Sequence, residues 1–92
     1  MDYISLACDV LSVIEKTMDD EHFDVKEFTA ERFGVSDWLY CHLLDDLKEN
    51  GYIGGVEPEM NVERFTYTIR IYRPYLTLKG AEFLSAYSSN DW

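Results

Sequence analysis

"SDWLYCHLLDDLKENGYIGG", residues 36–55, carries a complete helix and the start of a strand. Ser36 is a good N-cap, because its hydroxyl can accept from the unpaired N–H groups of a first helical turn. Leu39, Tyr40, Leu43, Leu44 and Leu47 recur at helical spacing and gather on one side, which must face a core. Gly51 falls where a left-handed C′ residue ends a helix, so the helix is predicted to run from Ser36 to about Asn50. The opposite side shows Trp38, Cys41, His42, Asp45 and Glu49, with Asp46 at its margin. In this stretch Asp37, Asp45, Asp46 and Glu49 stand against a single Lys48.

Upstream, a short second helix fits residues 24–33 or part of them, with Phe28 and Phe33 as anchors and Gly34 as its end. Helix, tight Gly-containing turn, helix is a helix-turn-helix outline. Residues 3–19 read as a first helix, with Ile4, Ala7, Leu11, Ile14 and Met18 on one face. Tyr3, Leu6, Val10 and Val13 widen its apolar arc well beyond the roughly 100° that a surface helix needs. Such a helix is either central to the domain or lines a homodimer, and in so small a domain the central place is the plainer reading.

Downstream, residues 52–56 read as a short strand, and "EPEMN" (57–61) as a loop with Pro58 and Asn61 as turn residues. "RFTYTIRIYR" (64–73) is the clearest strand. Phe65, Tyr67, Ile69 and Ile71 alternate with Arg64, Thr66, Thr68, Arg70 and Tyr72, giving one apolar face and one basic, hydroxylated face. Pro74 is expected to stop that strand. Thr77 caps a last helix, "LKGAEFLSAYSS", with Leu78, Ala81, Leu84, Phe83 and Tyr87 expected inward and the tail "NDW" frayed. The fold expected is a single α+β domain over residues 1–92: a winged helix-turn-helix of three helices, a two-stranded hairpin wing and a C-terminal helix.

The stretch "LLDDLKENGYIGGV" (43–56), followed by a hairpin and then "YLTLKGAEFL" (75–84), resembles the YjcQ family, small winged-helix proteins of Gram-positive bacteria and their phages. The resemblance runs from the first helix through "LTLKG". It implies the fold, a bacterial or prophage origin and a regulatory or DNA-binding role, and it carries over no catalytic residue.

Charge argues against reading DNA through the third helix. The 92 residues hold eighteen acids and eight bases, a formal charge of −10. Residues 1–63 carry sixteen of those acids and only Lys16, Lys26, Arg32 and Lys48, whereas residues 64–80 carry four bases and no acid. A major-groove reader uses Arg, Lys, Asn or Gln toward base edges and gains affinity by neutralising phosphates. Outward carboxylates on the third helix would meet phosphates instead.

Two surfaces follow as candidates. The first is a protein-binding face made of Trp38, His42, Asp45, Glu49, Asp37 and Asp46, whose partner is a basic protein surface. Its acids, joined by Asp19, Asp20, Glu21 and Asp24, suit mimicry of a phosphate row, although a plain solvated face explains them too. Trp38 reads either as an outward interface anchor or as a ring packed beneath the wing. The alternative is a DNA-binding regulator that uses a dimer and the basic wing: Arg64, Arg70, Arg73, Tyr72 and Lys79.

No cofactor or metal is expected. Cys41, His42 and Asp45 share a face, but structural zinc wants four ligands, usually richer in Cys. No nucleophile elbow, phosphate loop or paired-acid pocket is present, so the chain is expected not to be an enzyme. The opening "MDYISLACDV" lacks the basic region of a signal peptide, and no run nears the roughly 18 apolar residues that span a bilayer. With two cysteines and no CxxC, a cytoplasmic protein of a bacterial host is the expectation.

Overall fold

The computed structural model describes residues 2–20, 28–61, 63–64 and 66–88. It holds helix α1 (Tyr3–Met18), helix α2 (Asp37–Glu49), strands β1 (Ile53–Asn61) and β2 (Thr66–Leu76), and helix α3 (Leu78–Ser88). The fold is α+β, with three helices and one antiparallel hairpin among the described residues.

Each helix start has a local cause. The Asp2 carboxylate accepts from the Ser5 N–H at 2.7 Å, Ser36 Oγ from the Leu39 N–H at 3.1 Å, and Thr77 Oγ1 from the Gly80 N–H at 3.1 Å. These are N-cap bonds to otherwise unpaired donors. Helix α2 ends in a Schellman turn: the Gly51 N–H donates to Lys48 and the Tyr52 N–H to Leu47, at 3.0 and 2.9 Å. Gly51 has φ +78°, the left-handed value this turn requires and that glycine takes without strain.

The expected second helix is corrected over residues 28–33. Residues 28–35 form bends and turns, and the remainder of 24–33 lies outside the described residues. Phe33 and Val35 both donate their N–H to the Ala30 carbonyl, and Gly34 donates to Glu31. That is one tight turn folded around Phe28, which is buried against Phe33 and Tyr40. Aromatic packing holds this segment without a helix.

The hairpin is also longer than its sequence suggests. Neither Pro58 nor Pro74 ends a strand; both lie inside one, and both are buried. In a two-stranded ribbon each strand has an outer edge where a missing N–H costs no ladder bond, so proline is tolerated there and in bulges. The register shows such a bulge. Gly54 pairs with Tyr75 and Val56 with Ile71, so Gly55 alone faces Tyr72, Arg73 and Pro74. Gly55 has φ +78°, and a Cβ there would run into the Arg73 carbonyl. The bulge reverses the alternation: Ile69 and Ile71 point inward before it, Pro74 and Leu76 after it.

One core joins these parts. Leu6, Val10, Leu11 and Ile14 of α1 meet Leu43, Leu44 and Leu47 of α2, Ile53 and Val56 of β1, Leu76 of β2 and Leu84 of α3. Helix α1 lies centrally and spends most of its apolar arc inside the domain. Several residues expected inward are instead exposed. Tyr3, Ile4 and Met18 sit toward the ends of α1, Leu78 opens α3, and Tyr87 lies near its end. Helix ends project past the short partners that cover their middles. Phe65 and the tail "NDW" lie outside the described residues.

Candidate functional site

Two of the sides of α2 are covered. Tyr40, Leu43, Leu44 and Leu47 face the core, as their spacing predicts, while Leu39 is only half-buried. Cys41 is a correction: predicted outward, it is fully buried, with its sulfur 4.0 Å from the Glu59 carbonyl oxygen of β1. The hairpin lies along this side of the helix, and a helical wheel drawn for α2 alone has no place for it. Burial, followed by the Asp45 charge, pushes the Cys41 thiol above its ordinary pKa. The thiol is therefore a poor nucleophile.

Trp38 sits at the seam between helix and hairpin. It is half-buried, and its ring meets Tyr67 of β2 edge-to-face at 6.1 Å and 69°. The Tyr67 phenol is pushed up by partial burial and then by the Asp37 carboxylate beside it. Asp37 is itself exposed, so the seam presents two aromatic rings with an acid at one end. The place of Tyr67 in the apolar alternation of its strand gave no sign of this role. Only the hairpin register brings it to Trp38.

Beyond the seam lies an open arc of His42, Asp45, Asp46 and Glu49. Asp46 accepts a 2.7 Å hydrogen bond from the Tyr3 hydroxyl of α1 and lies 3.7 Å from His42 Nε2. Both partners of that pair are about half exposed, so solvent screens it and its worth is a few tenths of a kcal/mol. Burial and the Asp46 hydrogen bond raise the Tyr3 phenol well above its ordinary value. This polar clasp ties the start of α1 to the last turns of α2.

The candidate basic residues do not gather into one face. Arg70 lies opposite Glu57 and Thr68 opposite Glu59, so the exposed face of the hairpin carries acids among its bases. Tyr72 donates its hydroxyl to Glu57 at 3.2 Å. The Arg73 guanidinium donates to the Thr17 carbonyl at 3.1 Å and also to the Asp20 carbonyl, closing the C-terminal end of α1. Lys79 stands 5.4 Å over the Tyr52 ring. Arg64 is exposed in the turn, its N–H held by Asn61 Oδ1. Glu57 and Glu59 are the residues that sequence reasoning overlooked, because it placed them in a loop.

Among the described residues no group of three or more His, Cys, Asp or Glu is arranged to hold a metal ion, and no helix is long and apolar enough to cross a membrane. Neither the curated proteins nor the solved structures yielded a match. The YjcQ protein family model matches residues 8–91, almost the whole chain, and the chain belongs to the YjcQ family.

Proposed function

We propose that this protein is a winged-helix variant that binds a basic protein surface through α2 and its seam with the hairpin, and that it performs no chemistry. The observation that carries this reading is where α2 keeps its charge. Asp46 and Glu49 lie in its last turn, where carboxylates oppose the helix dipole, and Asp45 and Glu49 are like charges four residues apart. Each arrangement costs a helix a few tenths of a kcal/mol. The bond from Tyr3 offsets that cost at Asp46, and the Asp45–Glu49 repulsion is the part the fold leaves in place. The acids run on into the Trp38–Tyr67 pair, whose ring faces suit an arginine or lysine. A carboxylate row beside aromatic rings fits a partner that itself binds nucleic acid, and the role is then regulatory or inhibitory. A cytoplasmic setting in a bacterium, with the gene carried by a phage or prophage, completes this reading.

The alternative, a dimeric DNA-binding regulator, rests on Arg64 and Arg70. Glu57 and Glu59 on the same hairpin face weaken it, and so does the engagement of Arg73 with α1. Titration against mixed-sequence duplex DNA at about 50 mM salt separates the two readings, because phosphate contacts are strongest there. The expected result is no binding by the wild type. Affinity capture from bacterial lysate should recover a protein that Asp45→Lys/Glu49→Lys and Trp38→Ala lose. Salt-sensitive DNA binding abolished by Arg64→Glu/Arg70→Glu would hand the function to the hairpin.

A further inference from the structure

At the other end of α1, where its last turn meets the close of β2 and the start of α3, the surface opens into a groove of about 530 Å³. Met18, Leu76, Leu78 and Ala81 supply its apolar lining, and Glu15 and Asp19 stand among them. Leu78 is 87% exposed and Met18 46% exposed. A leucine this bare at the first position of a helix gains nothing from the fold. Met18 is partly held, since its sulfur accepts from the Leu76 N–H at 3.3 Å, while its flexible chain can still adapt to a visitor.

Charge decides what fits. Glu15 and Asp19 are exposed, and so is Glu82, one turn beyond Leu78 on the same side of α3. Arg73 already meets the carbonyls at the C-terminal end of α1 and Thr77 caps the first turn of α3, so the charge facing the groove is that of the carboxylates. A second copy is a poor occupant, because it would bring the same acids and another −10 body against these. An anionic lipid surface is disfavoured for the same reason. Apolar floor and acidic rim are complementary to an apolar side chain carried between cations.

We propose that this groove is a docking site for a leucine, isoleucine or phenylalanine flanked by Lys or Arg on a segment of another protein. The proposal does not rest on the α2 reading and concerns different residues.

The probes are three synthetic peptides, acetyl-Lys-Lys-Leu-Leu-Lys-Lys-amide and its Ile and Phe counterparts, with a Ser-Ser peptide as control. Each is titrated into the ¹⁵N-labelled full chain to millimolar concentration. At least one apolar peptide should shift the amides of Met18, Asp19, Leu76, Leu78 and Ala81 saturably, and the serine peptide should not. Leu78→Ser, and separately Glu15→Lys/Asp19→Lys, should each weaken that binding at least tenfold while leaving the rest of the spectrum in place. The Asp45→Lys/Glu49→Lys variant should keep the groove shifts, which separates this site from the α2 face. Three results overturn the proposal: groove amides unmoved by all three peptides, equal shifts with the serine control, or self-association in sedimentation that Leu78→Ser removes.

Discussion

Helix α2 and strand β2 read as opposites in sequence, one acidic and one basic, yet only the helix keeps its sign in the folded protein. The neighbours of a helical side chain are the residues three and four positions away, so Asp45, Asp46 and Glu49 sit together whatever the rest of the chain does. The neighbours of a strand side chain belong to the partner strand. Pairing sets Glu57 against Arg70 and Glu59 against Thr68, and the bulge turns Arg73 back onto the carbonyls of α1. A charge count along a helix is a statement about a surface. Along a strand it says little until the register is known.

The strongest way to break this contrast is to break the register. Gly55→Ala puts a Cβ into the Arg73 carbonyl at a left-handed backbone position, and should cost at least about 2 kcal/mol. That corresponds to a fall in Tm of about 10 °C for a chain of this size. Urea unfolding measures the first and calorimetry the second. A loss below about 0.5 kcal/mol would mean that the bulge does not set the pairing.

Next in size is the difference between two arginines three residues apart. Arg73→Ala removes charged donors from the end of α1 and should cost about 1 kcal/mol. Arg70→Ala, on the exposed face of the hairpin, should stay within about 0.5 kcal/mol. Equal costs would erase the distinction between a structural and a surface arginine.

The smallest effect belongs to the buried side of α2. The Tyr40 hydroxyl is buried and has no hydrogen-bond partner among the described residues, so Tyr40→Phe should be neutral or stabilise by up to about 1 kcal/mol. Burial raises this phenol above its ordinary value of 10.0. A raised phenol contributes stability that is complete below pH 10 and is lost as pH rises beyond it. The wild type should therefore weaken above pH 10, and Tyr40→Phe should flatten that decline in alkaline denaturation.

Much of the helical part of the fold was legible because its causes are local. Ser36, Gly51 and Thr77 act within four residues of themselves, and the leucine spacing of α2 names its buried side. The hairpin was legible only up to its bulge. Alternation from Tyr67 to Ile71 marks one face, but the reversal past Gly55 hides the strand beyond Arg73, and the prolines look like ends. The helix expected within residues 24–33 is replaced over 28–33 by a turn, in which Phe28 and Phe33, five positions apart, meet edge to face.

Sequence alone therefore determined the family, the caps, the core side of α2 and the net acidity, since each follows from the residues and their nearest neighbours along the chain. Tertiary structure alone decided that Cys41 is buried, that Trp38 meets Tyr67 and that the basic strip is divided. It also decided that Leu78 and Met18 stand open over a groove. All four depend on contacts between segments far apart in the chain, where the cost of bringing them together is met by the whole core and not by any local pattern.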